Sequence, residues 1–339
     1  MSDISLIHEK LLGAACASGS EDAVAAAIKR IAPHGSYDEV YSDALGNLIF
    51  HKKGKGKRIM CTAHMDVVGF MVTQIDDRGY LRVIRLGGGK IHLLINARVV
   101  FKNGVVGVIR TCEAAKTAGK KPAELSFNDL YVDIGAADKA SAEKLVSVGS
   151  TCVFDACPRK LLGDNIVTSY ADNLIGCAVL LSAMDQSRDN LNDCYYVFTV
   201  QEEVGLRGAG CAAFAAEPEI AINVDVAVAS DDPQTEELRT GIALSKGPAV
   251  KLMDGSVIPS KGLTSLLLKI ASIRGIACQK EISSNIGTDT GSVLLTKGGI
   301  SSAAISVPIR NLHTPCEVYN KADAEGAAKL LAAFLTARF

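Results

Sequence analysis

Tryptophan is missing from this chain of 339 residues, and aromatic residues make up only 5% of it. Sugar-binding clefts rely on aromatic platforms for stacking, so the composition speaks against a glycosidase. Charge of neither sign is in excess, because 36 basic and 37 acidic residues leave a formal net charge of −1. That balance argues against a general affinity for nucleic acid or for an anionic membrane. No apolar run reaches the ~18 residues that a bilayer-spanning helix needs. Ten cysteines are present, yet no Cys-x-x-Cys occurs, and Cys152 with Cys157 has no second pair to complete a thiolate zinc site. We expect them to be reduced thiols used as small core residues, and Cys61, Cys177, Cys211 and Cys278 all stand among apolar neighbours. The start, Met1 to Lys10, mixes charges into its apolar positions and carries no secretory pattern, so a cytoplasmic protein is expected.

What is present is an alternation of helical and strand-like stretches. Helical periodicity covers Ser5 to Ala17, and Ser20-Glu21 opens a second helix through Ile31 that Pro33 and Gly35 end. Leu45 to Phe50 and Ile59 to Thr62 read as the strands of a hairpin whose tip is the basic, glycine-bearing run Lys52 to Arg58. From Val67 to about Gly163, short β-like runs alternate with turns at Asp76 to Gly79, Gly87 to Gly89 and Lys102 to Gly104. This spacing predicts a small β-rich unit, residues 67–163, inserted into a main domain of residues 1–66 and 164–339. One short helix within it, near Ala142 to Val146, is expected to be capped at Ser141. After Gly163 the chain reads as strand Ile166 to Tyr170, loop Ala171 to Asn173, helix Leu174 to Met184, strand Tyr195 to Val200 and helix Leu206 to Ala216. A strand from Ile220 ends at Asp225, and Lys261 to Arg274 is helical. An edge strand Ile276 to Glu281, a tight loop Gly287 to Gly291, a strand Ala303 to Val307 and a closing helix Ala322 to Ala337 complete the pattern. The expected fold class is α/β, a mixed, largely parallel sheet flanked by helices.

Chemistry concentrates where strands end. Gln201-Glu202-Glu203-Val204-Gly205 sets two adjacent carboxylates directly behind an apolar run, and such a pair repels unless cations or protons hold it together. His64, Asp225 and His313 also fall at or just past strands, and Asp172 lies between a strand and a helix. Parallel strands would gather these groups at one edge of the sheet, where α/β proteins bind ligands. Singly, each has an ordinary explanation: the glutamates as a solvated turn, Asp172-Asn173 as a helix cap. His8, His34, His51 and His92 are assigned no role beyond surface or core. Together, two histidines and several carboxylates suit zinc, cobalt or manganese and exceed what one tetrahedral ion needs. Two divalent metal ions sharing a bridging carboxylate would use the set fully.

In order and spacing, Ala63-His64-Met65-Asp66, Ala171-Asp172-Asn173, Gln201 to Ala209, Val224-Asp225, Gly287-Thr288-Asp289 and His313-Thr314-Pro315 resemble the glutamyl aminopeptidase and tetrahedral aminopeptidase family. Members are cytosolic dinuclear metallopeptidases, some labelled deblocking aminopeptidase or cellulase M. The resemblance spans nearly the whole chain and implies a zinc-exopeptidase-like domain with an inserted β-rich dimerisation domain. It further implies that Asp172 bridges the two ions, with His64 and Asp225 on one and Glu203 and His313 on the other. Asp66 would hold the other imidazole nitrogen of His64 and fix its tautomer. Glu202 is then free as general base, taking a proton from the attacking water and passing it to the leaving amine. Val67, Thr290 and Asn311-Leu312 depart from the family pattern; none is an implied ligand, and they bear on side-chain preference. Arg207 could favour an acidic substrate side chain or make a surface salt bridge.

The implied activity is release of N-terminal residues from short peptides, inside a homododecamer shaped as a tetrahedron. Rival readings are a dinuclear-metal amidase or deacylase on small N-acyl compounds, a non-catalytic protein on a peptidase fold, and an endoglucanase. The last fits poorly with the scarcity of aromatic residues and with a mechanism that needs two carboxylates and no metal.

Overall fold

The computed structural model describes residues 3–112, 119–233, 241–284 and 286–337. Two helices open it, α1 (Ile4–Leu12) and α2 (Asp22–Ile31), and Asp3 caps the first by accepting from the Ser5 amide at 2.9 Å. Strands β1 (Glu39–Ser42), β2 (Leu48–Lys52) and β3 (Arg58–His64) follow. Six short strands come next: β4 (Gly69–Ile75), β5 (Leu81–Leu86), β6 (Arg98–Phe101), β7 (Val106–Thr111), β8 (Leu130–Asp133) and, after α3 (Lys139–Glu143), β9 (Thr151–Phe154). The chain continues through β10 (Arg159–Lys160), β11 (Asn165–Thr168), α4 (Ala171–Gln186), β12 (Asp193–Thr199), α5 (Arg207–Ala216) and β13 (Ile220–Val228). It ends with β14 (Ala249–Met253), α6 (Lys261–Ile273), β15 (Gln279–Ile282), α7 (Asp289–Leu294), β16 (Ser301–Arg310), β17 (Glu317–Asn320) and α8 (Lys321–Leu335).

Eleven strands form one mixed sheet in the order β1-β2-β12-β3-β13-β16-β17-β11-β10, with β14 and β15 attached beside β16. Its centre, β12-β3-β13-β16, is parallel throughout, while β2, β14 and β17 join it antiparallel. Strands covered on both faces by helices need apolar side chains on both, which is why these four read as continuous apolar runs. Helix α4 is buried along nearly its whole length and packs between α1, α8 and the central strands, so it has no polar face to show.

The strands from Gly69 to Phe154 close on themselves as a barrel, β4-β5-β8-β7-β6-β9, which leaves no open sheet edge. A ring stack joins barrel to sheet: Phe154 lies 5.6 Å from Tyr170, whose hydroxyl accepts the Phe154 amide. Among the described residues no helix is long and apolar enough to cross a membrane.

Several expectations change. Leu45 to Phe50 and Ile59 to Thr62 are not hairpin partners, because β12 lies between β2 and β3. The basic turn is instead clamped to the segment entering β12, where Lys55 and Gly56 amides donate to the Leu191 carbonyl at 3.0 and 2.8 Å. Side chains at Gly54 and Gly56 would collide with that backbone, so closeness rather than hairpin geometry requires the glycines. The cap of α3 is Asp138, with Ser141 completing a capping box one turn inside the helix. Strands β13 and β16 run on to Val228 and Arg310. Cys61 and Cys177 are buried as expected, but Cys211 is exposed on α5 and Cys278 is only half-buried.

Candidate metal centre

Parallel strands β12, β3, β13 and β16 deliver their C-terminal halves to one edge. His64 is the last residue of β3, Asp225 lies inside β13, Glu202 and Glu203 follow β12, and His313 follows β16. Asp172 comes at the start of α4, where it and Asn173 leave helical geometry and their shared peptide is cis. Tyr170, Gln201 and His313 adopt left-handed backbone, φ 64°, 56° and 59°. Such residues cost of order 1–3 kcal/mol each and persist only where the surroundings hold them. Each is held: the Gln201 amide donates to Glu21 at 3.1 Å, the His313 amide to Glu317 at 2.7 Å, and the Tyr170 carbonyl faces His8 Nε2 at 3.2 Å.

The side chains converge on two neighbouring points. His64, Asp172 and Asp225 offer atoms within 4.8 Å of one another, and so do Asp172, Glu203 and His313. Asp172 belongs to both groups through different oxygens. Its Oδ1 lies 3.1 Å from His64 Nε2 and its Oδ2 lies 3.2 Å from His313 Nε2, which is also 3.2 Å from Glu203 Oε1. Zinc–ligand bonds of about 2.0 Å at tetrahedral angles put neighbouring ligand atoms about 3.3 Å apart. Asp172 Oδ1 and Glu203 Oε1 are buried and accept no hydrogen bond. Acceptors left bare in a buried site, beside imidazole nitrogens at that spacing, fit divalent cations. Glu202 stands outside both groups, buried, with Oε2 3.9 Å from His64 Nε2.

Asp66 acts mainly as a clamp. Its carboxylate accepts the amides of Glu202 and Glu203 at 3.0 and 3.1 Å and the Ser18 hydroxyl at 2.6 Å, fixing the glutamate turn to the end of β3. Nδ1 of His64 is nearest the Asp66 main-chain carbonyl at 3.0 Å, with the carboxylate at 3.6 Å. The main chain thus supplies the close contact that the sequence reading gave to the side chain.

Electrostatics follow from crowding. Burial opposes charge on His64 and His313, but Glu202 and Asp172 beside the first, and Glu203 and Asp172 beside the second, outweigh it and raise both imidazoles, His313 to about 11. A metal cation at either point would therefore compete with protons for these nitrogens. Glu202 is pushed well above the usual carboxylate range, first by burial, then by Asp225, Asp289 and Glu203, despite the opposing pull of His64.

Two acids escaped the sequence reading. Glu317 accepts the Asp172 amide at 3.0 Å as well as that of His313, and burial with Asp172 nearby raises it to about 8. Asp289, quoted in a motif but given no role, accepts the Thr199 hydroxyl at 2.5 Å and leaves Oδ1 bare. The signal for Glu317 was its place four residues after His313. Arg207 donates to Gln201 Oε1 at 3.2 Å.

Residues 46–330 match the family model described as M42 glutamyl aminopeptidase. A protein of Acetivibrio thermocellus named as a candidate aminopeptidase is 43% identical over 325 residues, covering 95% of this chain and 96% of that one. The lysyl aminopeptidase of Pyrococcus furiosus is 33% identical over 327 residues, covering 94% and 91%. Among solved structures, the Pyrococcus horikoshii TET1 peptidase, which can assemble into a tetrahedron or a large octahedral shell, superposes with a TM-score of 0.87 at 30% identity, covering 99% of this chain and 100% of that one.

Proposed function

This chain belongs to the M42 glutamyl aminopeptidase family, and on that premise we propose that it removes N-terminal residues from short peptides with two divalent cations and Glu202 as general base. The observation that carries the reading is Asp172, which turns one bare carboxylate oxygen toward His64 and the other toward His313. His64, Asp172 and Asp225 would hold one ion, and Asp172, Glu203 and His313 the other. When bound, the ions would polarise the scissile carbonyl and make water acidic enough to attack it.

The chain's own residues do the rest. Glu202 takes the proton of the attacking water and delivers it to the leaving amine nitrogen. Asp66 keeps that carboxylate in register with the β3 end by accepting the successive amides of Glu202 and Glu203. Glu317 holds the main chain of two ligand residues at once, so it fixes the distance between Asp172 and His313. Zinc and cobalt suit the mixed imidazole and carboxylate donors best, with manganese admissible. We further infer a cytoplasmic enzyme of tetrahedral assembly, with residues 67–163 as the dimerisation domain and residues 1–66 and 164–339 as the catalytic domain. Support comes from the closed barrel and from the similarity to a TET1 peptidase.

A panel of aminoacyl arylamides offered to metal-stripped protein, then with zinc, cobalt or manganese added, tests this. Metal-restored cleavage is expected, together with inactivity on N-acetylated counterparts. Glu202→Gln should retain metal and lose turnover by roughly 10²–10⁴-fold, the usual weight of a general base. Retained turnover in that variant refutes the base assignment, and cleavage of only the N-acyl substrates would turn the reading into an amidase.

A further inference from the structure

The ligand groups are not equally sealed. His313 is 19% exposed at its side chain, against 2% for His64, 5% for Asp225, 4% for Glu203 and 9% for Asp172. The centre is therefore least sealed at His313, and a peptide extending away from the proposed ions would pass there. What lies against His313 at this opening comes from the barrel. Strand β5 ends at Leu86, and Gly87-Gly88-Gly89 follows before a single 3-10 turn at Ile91–Leu93.

This segment touches the centre so closely that side chains are excluded. A Cβ on Gly88 would sit 2.4 Å from His313 Nδ1, and one on Gly87 would meet Glu203 Oε2 at 3.0 Å. Gly87 and Gly89 also have φ of 91° and 123°, a region open to glycine alone without strain. Gly88 is exposed nonetheless. The amides of Gly88 and Gly89 and the carbonyls of Gly87 and Gly88 meet no hydrogen-bond partner among the described residues. Arg85 donates to the Gly89 carbonyl at 3.2 Å and ties the far end of the segment to β5. Bare main-chain groups on a side-chain-free strip beside an exposed ligand are what an extended peptide main chain pairs with.

The geometry points to Gly87-Gly88-Gly89 as a main-chain docking strip, supplied by the barrel, for the peptide residues on the leaving side of the scissile bond. It deepens the aminopeptidase reading and rests on it. Under it, peptides gain over arylamides through main-chain hydrogen bonds that an aryl leaving group cannot make. Side-chain identity on the leaving side should matter little, because glycines provide no pocket. Arg85 is a positioning residue that acts through the Gly89 carbonyl.

The test uses the metal-loaded enzyme and three substrates sharing one N-terminal residue: an arylamide, a tripeptide, and the tripeptide whose second peptide bond is replaced by an alkene isostere. Removing that carbonyl and amide should lower kcat/KM about three- to tenfold, the worth of one hydrogen bond, with the loss in KM. Arg85→Ala should reduce the tripeptide-to-arylamide ratio of kcat/KM by a similar factor while metal content by elemental analysis stays at wild-type level. Arg85→Lys should recover part of it. Equal kcat/KM for tripeptide and isostere, or an unmoved ratio in Arg85→Ala, would overturn the strip while leaving the aminopeptidase reading intact. Silence of all three substrates, with metal bound, would instead overturn that reading and the strip with it.

Discussion

His8 offers a test of how the centre is held from behind. It is 1% exposed and lies between Tyr170 and Tyr319, with Nε2 3.2 Å from the Tyr170 carbonyl and Nδ1 3.1 Å from the Tyr319 hydroxyl. A carbonyl can only accept, so Nε2 carries the proton and Nδ1 accepts from the tyrosine. Protonating Nδ1 would remove that acceptor in a site too buried to solvate the charge, and burial accordingly lowers the imidazole from 6.5 to about 4. The sign follows: above pH 6.5 both folded and unfolded chains hold a neutral imidazole, and stability is unaffected. Between 6.5 and 4 only the unfolded chain takes up the proton, so stability falls as the pH falls. Below about 4 the loss is complete. At about 1.4 kcal/mol per pH step the total is about 3.5 kcal/mol. His8→Gln keeps a donor and an acceptor but cannot titrate. Urea midpoints for the metal-loaded proteins, at one protein concentration from pH 7.5 to 4.5, should show the variant weaker by roughly 1 kcal/mol at the upper end and the two curves crossing below pH 6. Parallel curves would refute the argument. The consequence reaches the site, because the Tyr170 carbonyl is two residues from Asp172.

Lys251 is fully buried, 2.6 Å from Glu281 and 3.4 Å from Asp254. Lys251→Met should cost about 3–5 kcal/mol because it strands a buried carboxylate, whereas Lys251→Met with Glu281→Gln should recover most of that; denaturant unfolding of the three proteins checks it, and an equal loss in the double variant would contradict it. Asp172→Asn removes the one group shared by both ligand sets, so elemental analysis should find metal content below one ion per chain, and two retained ions would exclude the bridging role.

The parallel centre of the fold was legible because two-sided burial writes continuous apolar runs, as in Tyr195 to Val200. Of its antiparallel additions, β2 was legible as a strand but with the wrong partner, while β14 and β17 were not legible at all. Strand β14 carries Lys251 at its middle, a charge that reads as surface unless Glu281, thirty residues on, is known to meet it. The hairpin expectation failed for a related reason: β2 and β3 are neighbours in sequence, and nothing local says that β12 returns between them. At the site, the groups that bind through side chains stood out as a set of residue types. Glu317 could not be separated from ordinary acids, and Asp66, though named, was not foreseen as a main-chain clamp, since the partners of both are amides that every residue possesses.

Burying this many acids has a price that the fold alone does not meet. Asp66, Asp172, Glu202, Asp225, Asp289 and Glu317 are all buried with Glu203 beside them, against the imidazoles of His64 and His313. Main-chain amides satisfy Asp66 and Glu317, but Asp172 Oδ1 and Glu203 Oε1 accept nothing. Each such bare acceptor costs about 1–3 kcal/mol in a folded chain, more when charged. A cation bound only by the folded form adds stability that grows with the logarithm of its free concentration, about 2.7 kcal/mol when that concentration is one hundred times the dissociation constant. If the chain binds two cations as proposed, metal loading and folding would be one equilibrium. Chelation should lower the denaturation temperature by several degrees, and Asp172→Asn, already short of metal, should respond far less. If chelator leaves the wild-type denaturation temperature unmoved while demonstrably removing the ions, the bare oxygens are satisfied in some other way, and the case for paired cations at Asp172 loses its physical basis.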